Sequence, residues 1–165
     1  ADGLTCVALL AADGNASAAA LLSRRAGAPL LTPHPGEMSR IARLPREEIQ
    51  SNRIETAASF AARSASVVLL KGACTVVARP DGQVYANPGA SSALAKGGSG
   101  DVLAGVIGAL AVQGMPPWQS AVAGAHIHYR AAVERAAQIG DHGVLASEVA
   151  DKVAPVLRDL AAMRG

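Results

Sequence analysis

The amino-acid sequence predicts an α/β sandwich, and three features lead to that fold class. Short strand-like runs alternate with longer Ala- and Leu-rich helical segments. The run "SVVLLKG" is continuously apolar, which is typical of a strand buried on both faces of a sheet. Aromatic residues make up 2% of the chain and hydrophobic residues 50%, so Ala, Val, Leu and Ile must form the core. No repeat or Pro/Ser-rich linker divides the 165 residues, which we therefore interpret as one domain.

The first half of the chain predicts two helices and two strands. Ala and Leu spacing favours a helix from Asn15 to Arg25. The segment "APLLTPHPGE" predicts a short strand that ends at Thr32, followed by a loop in which two prolines oppose a helix. Apolar residues at helical spacing predict a helix over 46–64. "SVVLLKG" follows as a central, parallel strand.

The second half predicts a hairpin and three helices. Two β-rich runs within 74–87 flank Pro80-Asp81-Gly82, a turn in which Pro fixes φ and Gly accepts a positive φ. Helical spacing predicts a helix over 100–113, and Pro117 opens a longer one that extends to Gln138. Ser147 is predicted to cap a last helix that continues through Leu160.

Composition argues against several classes of partner. The net charge of +2 is spread along the chain, without the basic stripe that nucleic-acid binding needs. No apolar run is long enough to cross a membrane, and "ADGLTCVALLAADG" lacks the basic start of a signal peptide. Cys6 and Cys74 lie in apolar contexts without zinc-site spacing, so we expect two reduced core cysteines in a cytoplasmic protein.

The strongest local motif is the glycine-rich stretch "ALAKGGSGDVLAGVIGAL", residues 93–110. It matches neither a Walker A loop, nor GxGxxG, nor a nucleophile elbow. Successive glycines before a helix can still turn backbone N–H groups toward a phosphate. Asp101 follows this pocket, and two roles stay open for it. It can complement the positive end of the helix, or it can act as a general base on a substrate hydroxyl.

Two further segments carry candidate site residues. Lys71 ends a buried strand, where α/β sheets usually bind ligands, although a solvated strand end is an equal alternative. His34 and Glu37 lie in "TPHPGE", which is either a plain surface turn or a rigid loop that presents them to a substrate. His126 and His128 are two apart on a predicted helix, which argues against a shared metal.

Three motifs in this order, "LTPHPGEMSRI", "VVLLKGACT" and "NPGASSALAKGGSGDVLAGVIGALAVQG", resemble the NAD(P)H-hydrate dehydratase family of the ribokinase-like superfamily. The similarity continues through "GVLASEVADKVAPVL". The resemblance implies a three-layer α/β/α sandwich. It also implies ADP- or ATP-dependent repair of NADHX and NADPHX, the hydrated nicotinamide cofactors, by phosphorylation of the added hydroxyl and loss of phosphate.

The resemblance also implies roles for particular residues. Asp101 would act on the hydrate hydroxyl. The loop Gly97 to Gly100 would form the anion hole for the transferred phosphoryl group, with Gly98 and Gly100 as its catalytic residues. The hydrated dinucleotide would be bound by His34, Gly36, Glu37 and Asp101. Adenine-nucleotide contacts would come from Lys71, Gly72, Ala73, Cys74, Thr75, Asn87, Lys96, Gly97, Gly98, Ser99 and Gly100. The resemblance also implies Mg²⁺ bound with the phosphates, although the sequence contains no pattern of an all-protein metal site. The family resemblance further implies a homo-oligomer, a tetramer.

The chain departs from the family pattern in two respects. Where the family usually reads like "GNPGMAT", this chain has "ASSALAK", and Lys96 replaces a Thr and could reach a phosphate instead. Family domains are also considerably longer, so we expect residues 1–165 to be the C-terminal part of the usual domain, without its N-terminal portion.

Two alternatives to a dehydratase stay open. A ribokinase-like kinase of small alcohols or vitamin precursors would share the glycine loop and Asp101, but has less reason to carry "TPHPGE" with "LKGACT". A non-catalytic nucleotide-binding or oligomer-forming fragment is the alternative from another class. Within the family, the Ala- and Arg-rich composition favours ADP over ATP as the phosphoryl donor.

Overall fold

A computed structural model describes residues 2–13 and 17–163 and shows an α/β fold with a mixed sheet. Contacts divide the chain into two compact units, Ala1–Ala86 and Asn87–Gly165. The first unit contains α1 (Asp2–Asp13), α2 (Ala18–Ser23), β1 (Leu30–Leu31), α3 (Pro35–Ala42), α4 (Arg46–Ser51), α5 (Arg53–Ser64), β2 (Val67–Leu70), β3 (Val76–Ala78) and β4 (Val84–Ala86). The second contains α6 (Ser99–Val112), α7 (Pro117–Ile139), α8 (Ala146–Ala162) and short 3₁₀ turns at Ser92–Leu94 and Asp141–Gly143.

The sheet of the first unit has the strand order β1-β2-β3-β4. All four residues of β2 are buried, as the apolar run predicts. This strand is parallel to β1 but antiparallel to β3, so the prediction of a central strand is confirmed and that of a parallel one holds on one side only. The predicted hairpin is also confirmed, with β3 and β4 antiparallel and Gly82 in its turn at φ 92°.

Aliphatic side chains from the helices and the sheet form the core of the first unit. Met38 on α3 and Ile49 on α4 are 0% exposed, and Phe60 on α5 is 1% exposed. They belong to the same buried cluster as Val68 and Leu70 of β2. The packing fixes α3 and α5 against the end of β2, where several predicted site residues follow.

The helices of the first unit differ from the predicted ones at three places. The helix predicted over 46–64 is two helices, because Asn52 leaves the helical conformation at φ −128° and ψ 47°. The sequence analysis did not predict α1. The helix predicted from Asn15 is observed as α2, and Asn15 and Ala16 themselves lie outside the described residues.

Helices alone build the second unit around a small apolar core. α6 and α7 match their predicted bounds within one residue. They approach closely at Gly124, where a methyl group would meet Cγ1 of Ile107 at 2.5 Å. The prediction that Ser147 caps α8 is wrong, because the helix begins two residues earlier, with Leu145 at its N-cap position. The carboxylate of Glu148 accepts the N–H of Leu145 at 2.8 Å.

The two cysteines are exposed, so the prediction that they belong to the core is wrong. Cys6 lies on the outward side of α1. Cys74 lies in the turn after β2, where the chain is held through its backbone and not through side-chain burial. In the described parts of the chain, no helix combines the length and the hydropathy needed to cross a membrane.

Candidate active site

His34 begins α3, and the two prolines beside it do not prevent this helix. Pro35 is the first helical residue, where a missing N–H is not needed and the fixed φ is favourable. Nδ1 of His34 accepts the N–H groups of Gly36 and Glu37 at 3.0 and 3.3 Å. In return, Glu37 Oε2 accepts the N–H of His34 at 2.7 Å. The prediction of a non-helical loop here is therefore wrong, since "HPGE" forms a capped helix start.

Glu37, in the first turn of α3, is a buried carboxylate close to the end of β2. Its side chain is 4% exposed, and Oε2 lies 3.9 Å from Nζ of Lys71. The backbone N–H of Lys71 donates to the carbonyl of Pro33 at 2.8 Å, which continues the pairing of β1 with β2. The structure thus brings together His34, Gly36, Glu37 and Lys71 from two of the predicted motifs.

The imidazole of His34 is half exposed and has a lowered pKa. Burial is the largest cause, and it outweighs the opposing attraction of Glu37. The positive charges of Lys71, Arg40 and Arg46 lower the pKa further. At neutral pH the ring is therefore neutral, and because Nδ1 accepts the helix N–H groups, Nε2 carries the proton and can donate to a ligand.

Arg53 holds the turn that contains Lys71, Gly72, Ala73, Cys74 and Thr75. Its guanidinium donates to the carbonyls of Leu70 and Lys71 at 3.0 and 3.1 Å. It also donates twice to the carbonyl of Cys74, at 2.9 and 3.1 Å. Sequence reasoning missed this residue, because nothing in its local pattern shows that carbonyls 17 or more positions away lie within reach.

The glycine-rich loop of the second unit leads directly into α6. Gly98 precedes the helix at φ 84°, a left-handed conformation that favours glycine. The N–H groups of Ser99 and Asp101 donate to the carbonyls of Lys96 and Gly98, at 3.3 and 3.0 Å. These two N–H groups are used within the loop and the first turn of α6, and the anion hole at Gly97 to Gly100 stays a prediction.

Asp101 lies in the first turn of α6 and is exposed. Lys96, at the other end of the loop, donates from Nζ to the carbonyl of His142 at 3.2 Å. Close by in the same unit, Ser92 donates to the carboxylate of Asp141. These contacts tie the segment that departs from the family pattern to the turn at Asp141–Gly143.

A buried histidine supports the loop from α7. Oγ of Ser99 and Nε2 of His128 are 3.2 Å apart, and the two residues are 4% and 5% exposed. Burial lowers the pKa of His128 to about 4, and its hydrogen bond with Ser99 opposes the shift. This role of His128 was not predictable from its position two residues from His126, which raises only the question of a shared metal. Among residues 2–13 and 17–163, no group of three His, Cys, Asp or Glu is placed to hold a metal ion.

Asn87 and Gly89 form a tight corner before the loop. The Asn87 side chain is 4% exposed and donates to the carbonyl of Gly89 at 3.2 Å. A methyl group on Gly89 would overlap the hydroxyl oxygen of Tyr129. Only glycine therefore fits beneath this ring.

Replacing Gly89 by Ala is expected to destabilise the protein by about 1–3 kcal/mol, because the Tyr129 ring or the backbone must move. Urea unfolding would measure the change. Gly105→Ala is the matched control, since nothing lies within 4 Å of the added methyl group. If both variants unfold at the same urea concentration, Tyr129 does not constrain this corner.

The comparisons with known proteins give one consistent family. The model of the NAD(P)H-hydrate dehydratase family matches residues 1–155. A bifunctional NAD(P)H-hydrate repair enzyme of Moorella thermoacetica is 47% identical over 134 residues, which are 81% of this chain and 25% of that protein. An ADP-dependent (S)-NAD(P)H-hydrate dehydratase of Bacillus subtilis is 37% identical over 139 residues, covering 84% of this chain and 50% of its own length.

Solved structures support the same assignment. A crystal structure of the B. subtilis ADP/ATP-dependent NAD(P)H-hydrate dehydratase, co-crystallised with ATP and Mg²⁺, has a TM-score of 0.77 at 37% identity. The match covers 85% of this chain and 52% of that one. A ribokinase-like superfamily protein of Enterococcus faecalis has a TM-score of 0.70 at 22% identity. This match covers 94% of this chain and 58% of that one. The predicted ribokinase-like α/β fold is confirmed.

The chain spans about half the length of the curated ADP-dependent dehydratase and a quarter of the bifunctional enzyme that it matches. The family model nevertheless covers most of the chain, including the "TPHPGE", "LLKGACT" and "KGGSGD" segments. The chain therefore belongs to the NAD(P)H-hydrate dehydratase family.

Proposed function

We propose that the protein is an ADP- or ATP-dependent NAD(P)H-hydrate dehydratase that restores NADH and NADPH from NADHX and NADPHX. The observation that carries the proposal is the family match over residues 1–155, which includes a glycine loop followed by an acid in the first turn of α6. Relatives with this activity in their names include the B. subtilis and Neisseria meningitidis enzymes.

Asp101 is the proposed general base. Its exposed carboxylate takes the proton of the hydrate hydroxyl. The hydrate oxygen then attacks the terminal phosphoryl group and displaces the rest of the nucleotide, AMP from ADP or ADP from ATP. The N–H groups of Gly98 and Gly100 stabilise the charge on the transferred group. The C–O bond of the new phosphate ester then breaks as the neighbouring carbon loses a proton, which forms the ring double bond and releases inorganic phosphate.

The other proposed contacts are those that the family resemblance implies, in addition to Asp101. His34, Gly36 and Glu37 are the proposed contacts to the hydrated dinucleotide, supported by the neutral imidazole with a proton on Nε2. Residues 71–75, together with Asn87 and Lys96–Gly100, are the proposed contacts to the adenine nucleotide. Asn87 and Ser99 are buried, so we expect any contribution from them to come through the backbone that they hold.

Mg²⁺ is the proposed metal partner of the nucleotide. Mg²⁺ keeps several waters in most sites and is commonly held by substrate phosphates with one or two carboxylates. When bound, Mg²⁺ supplies charge neutralisation on the phosphates.

Three further predictions, two from the sequence pattern and the last from the resemblance, are retained as proposals. These are a single functional domain over residues 1–165, a cytoplasmic location, and a homo-oligomer, expected as a tetramer. Light scattering of the purified protein tests the last of these, because a monomeric mass would contradict it.

Incubation with NADHX or NADPHX, a nucleotide and Mg²⁺ tests the proposed function. We expect the dihydronicotinamide absorbance to return with ADP or ATP and to stay low without a nucleotide. A parallel panel of small alcohols and vitamin precursors tests the kinase alternative. The dehydratase assignment would be contradicted if a panel compound is phosphorylated but the dihydronicotinamide absorbance does not return with either hydrate. It would also be contradicted if no compound, hydrate or panel member, reacts.

A further inference from the structure

Arg53 donates hydrogen bonds to the backbone carbonyls of three residues in one turn. The carbonyls of Leu70, Lys71 and Cys74 all accept hydrogen bonds from its guanidinium, at 2.9 to 3.1 Å. A further contact, from Nη1 to Oε1 of Gln50 at 2.6 Å, fixes the plane of the guanidinium. Burial lowers the pKa of Arg53, and the electrostatic attraction of Cys74 opposes that shift.

The turn is shaped around this side chain. Gly72 has a φ of 151°, a conformation that side chains rarely adopt. A methyl group at Gly72 would lie 2.8 Å from Nη2 and 2.9 Å from Nη1 of Arg53. Because the guanidinium is held by several hydrogen bonds, it cannot swing aside without losing them. Gly72 and Arg53 therefore depend on each other.

The direction of the carbonyls also fixes the direction of the N–H groups. In a trans peptide the C=O and the following N–H point in opposite directions, and no cis peptide occurs among the described residues. Since the carbonyls of Lys71 and Cys74 point at Arg53, the N–H groups of Gly72 and Thr75 point away from it. Backbone N–H groups that face one side of a short turn form an anion-binding surface.

We propose that Arg53 is a positioning residue for nucleotide binding, which holds the N–H groups of Gly72 and Thr75 in the orientation that receives the donor's phosphates. Arg53 binds the turn from behind and does not touch the nucleotide itself. The inference rests on the proposed function, because that function supplies the anionic ligand of this turn. Without Arg53 the turn would have to be ordered by the nucleotide, and that ordering opposes binding.

Calorimetric titration with ADP tests this inference, and it needs no turnover. Arg53→Met is expected to raise the Kd for ADP roughly tenfold or more, with the KM for NADHX little changed. Arg53→Lys keeps the charge but cannot span three carbonyls, so its Kd should lie between that of the unaltered protein and that of the Arg53→Met variant. Gly72→Ala should also weaken ADP binding, because its methyl group displaces the guanidinium.

Arg63→Met is the matched control on the same helix. Its exposed guanidinium donates to the carbonyl of Ser59 on α5 at 3.4 Å and lies 5.9 Å from the centre of the Phe60 ring. Thermal unfolding of every variant separates a local effect from a loss of folding, and the Arg53→Lys variant carries the test if Arg53→Met does not fold. Unchanged ADP affinity in folded Arg53 variants would overturn the positioning role and leave the proposed function intact. Failure of the unaltered protein to bind either ADP or ATP would instead contradict the proposed function, and the inference with it.

Discussion

Replacing Asp101 by Asn is expected to lower turnover of NADHX by about 10²–10⁴-fold, the usual contribution of a general base. Asn preserves the size of the side chain but cannot take the proton of the hydrate hydroxyl. ADP binding should change little, since the N–H groups assigned to the phosphoryl group belong to Gly98 and Gly100. Steady-state kinetics with calorimetric titration of ADP would measure both quantities.

The same variant separates the two roles that the sequence left open for Asp101. If this exposed residue only complements the positive end of α6, its loss should lower the stability by roughly 0.3–1 kcal/mol and leave turnover unchanged. Asp151→Asn, on the exposed side of α8, is the matched control for the loss of one carboxylate. Full activity of the Asp101 variant would remove Asp101 from the base role.

Acidification from about pH 7 to pH 5 is expected to lower the free energy of unfolding by about 2 kcal/mol through His128 alone. Burial lowers the pKa of this histidine from 6.5 to about 4 in the folded protein. Between these two values the unfolded chain binds the proton and the folded protein does not. Stability is therefore fully present above the unfolded pKa, and it falls as the pH drops toward the folded pKa.

Urea unfolding at both pH values measures this effect. His128→Gln removes the titrating group and should flatten the pH dependence by the same amount, whereas His142→Gln, in the exposed turn, should not. Working above pH 5 keeps the lowered pKa of Glu148 outside the measured range. An equal pH dependence in the parent protein and in His128→Gln would show that His128 is not buried as a neutral base.

Much of the fold follows from local sequence rules, and the exceptions have physical causes. The hairpin at Pro80-Asp81-Gly82 and the start of α7 at Pro117 were predictable, because the same residues fix the local dihedral angles. At "TPHPGE" the prolines are compatible with either a loop or the first turn of a helix. Proline opposes a helix from within but favours one at its first position, and only the capping contacts of His34 decide between them.

The candidate site was predictable where its residues are consecutive. The loop before Asp101 and the "LLKGACT" turn stand out as glycine motifs next to a helix or a strand. Arg53 and His128 do not stand out, because each acts through residues brought near by tertiary packing. Arg53 lies in an ordinary charged helix, and His128 meets Ser99 across 29 positions of the sequence.

The central claim is that Asp101 starts a phosphorylation that makes the hydroxyl of the hydrate a leaving group. The direct measurement is the amount of dihydronicotinamide and of inorganic phosphate formed from NADHX in one reaction with ADP and Mg²⁺. We expect one phosphate for each dihydronicotinamide, and with Asp101→Asn the rates at which both products form should fall together, by about 10²–10⁴-fold. Recovery of dihydronicotinamide without a nucleotide, or phosphate release without recovery, would contradict it.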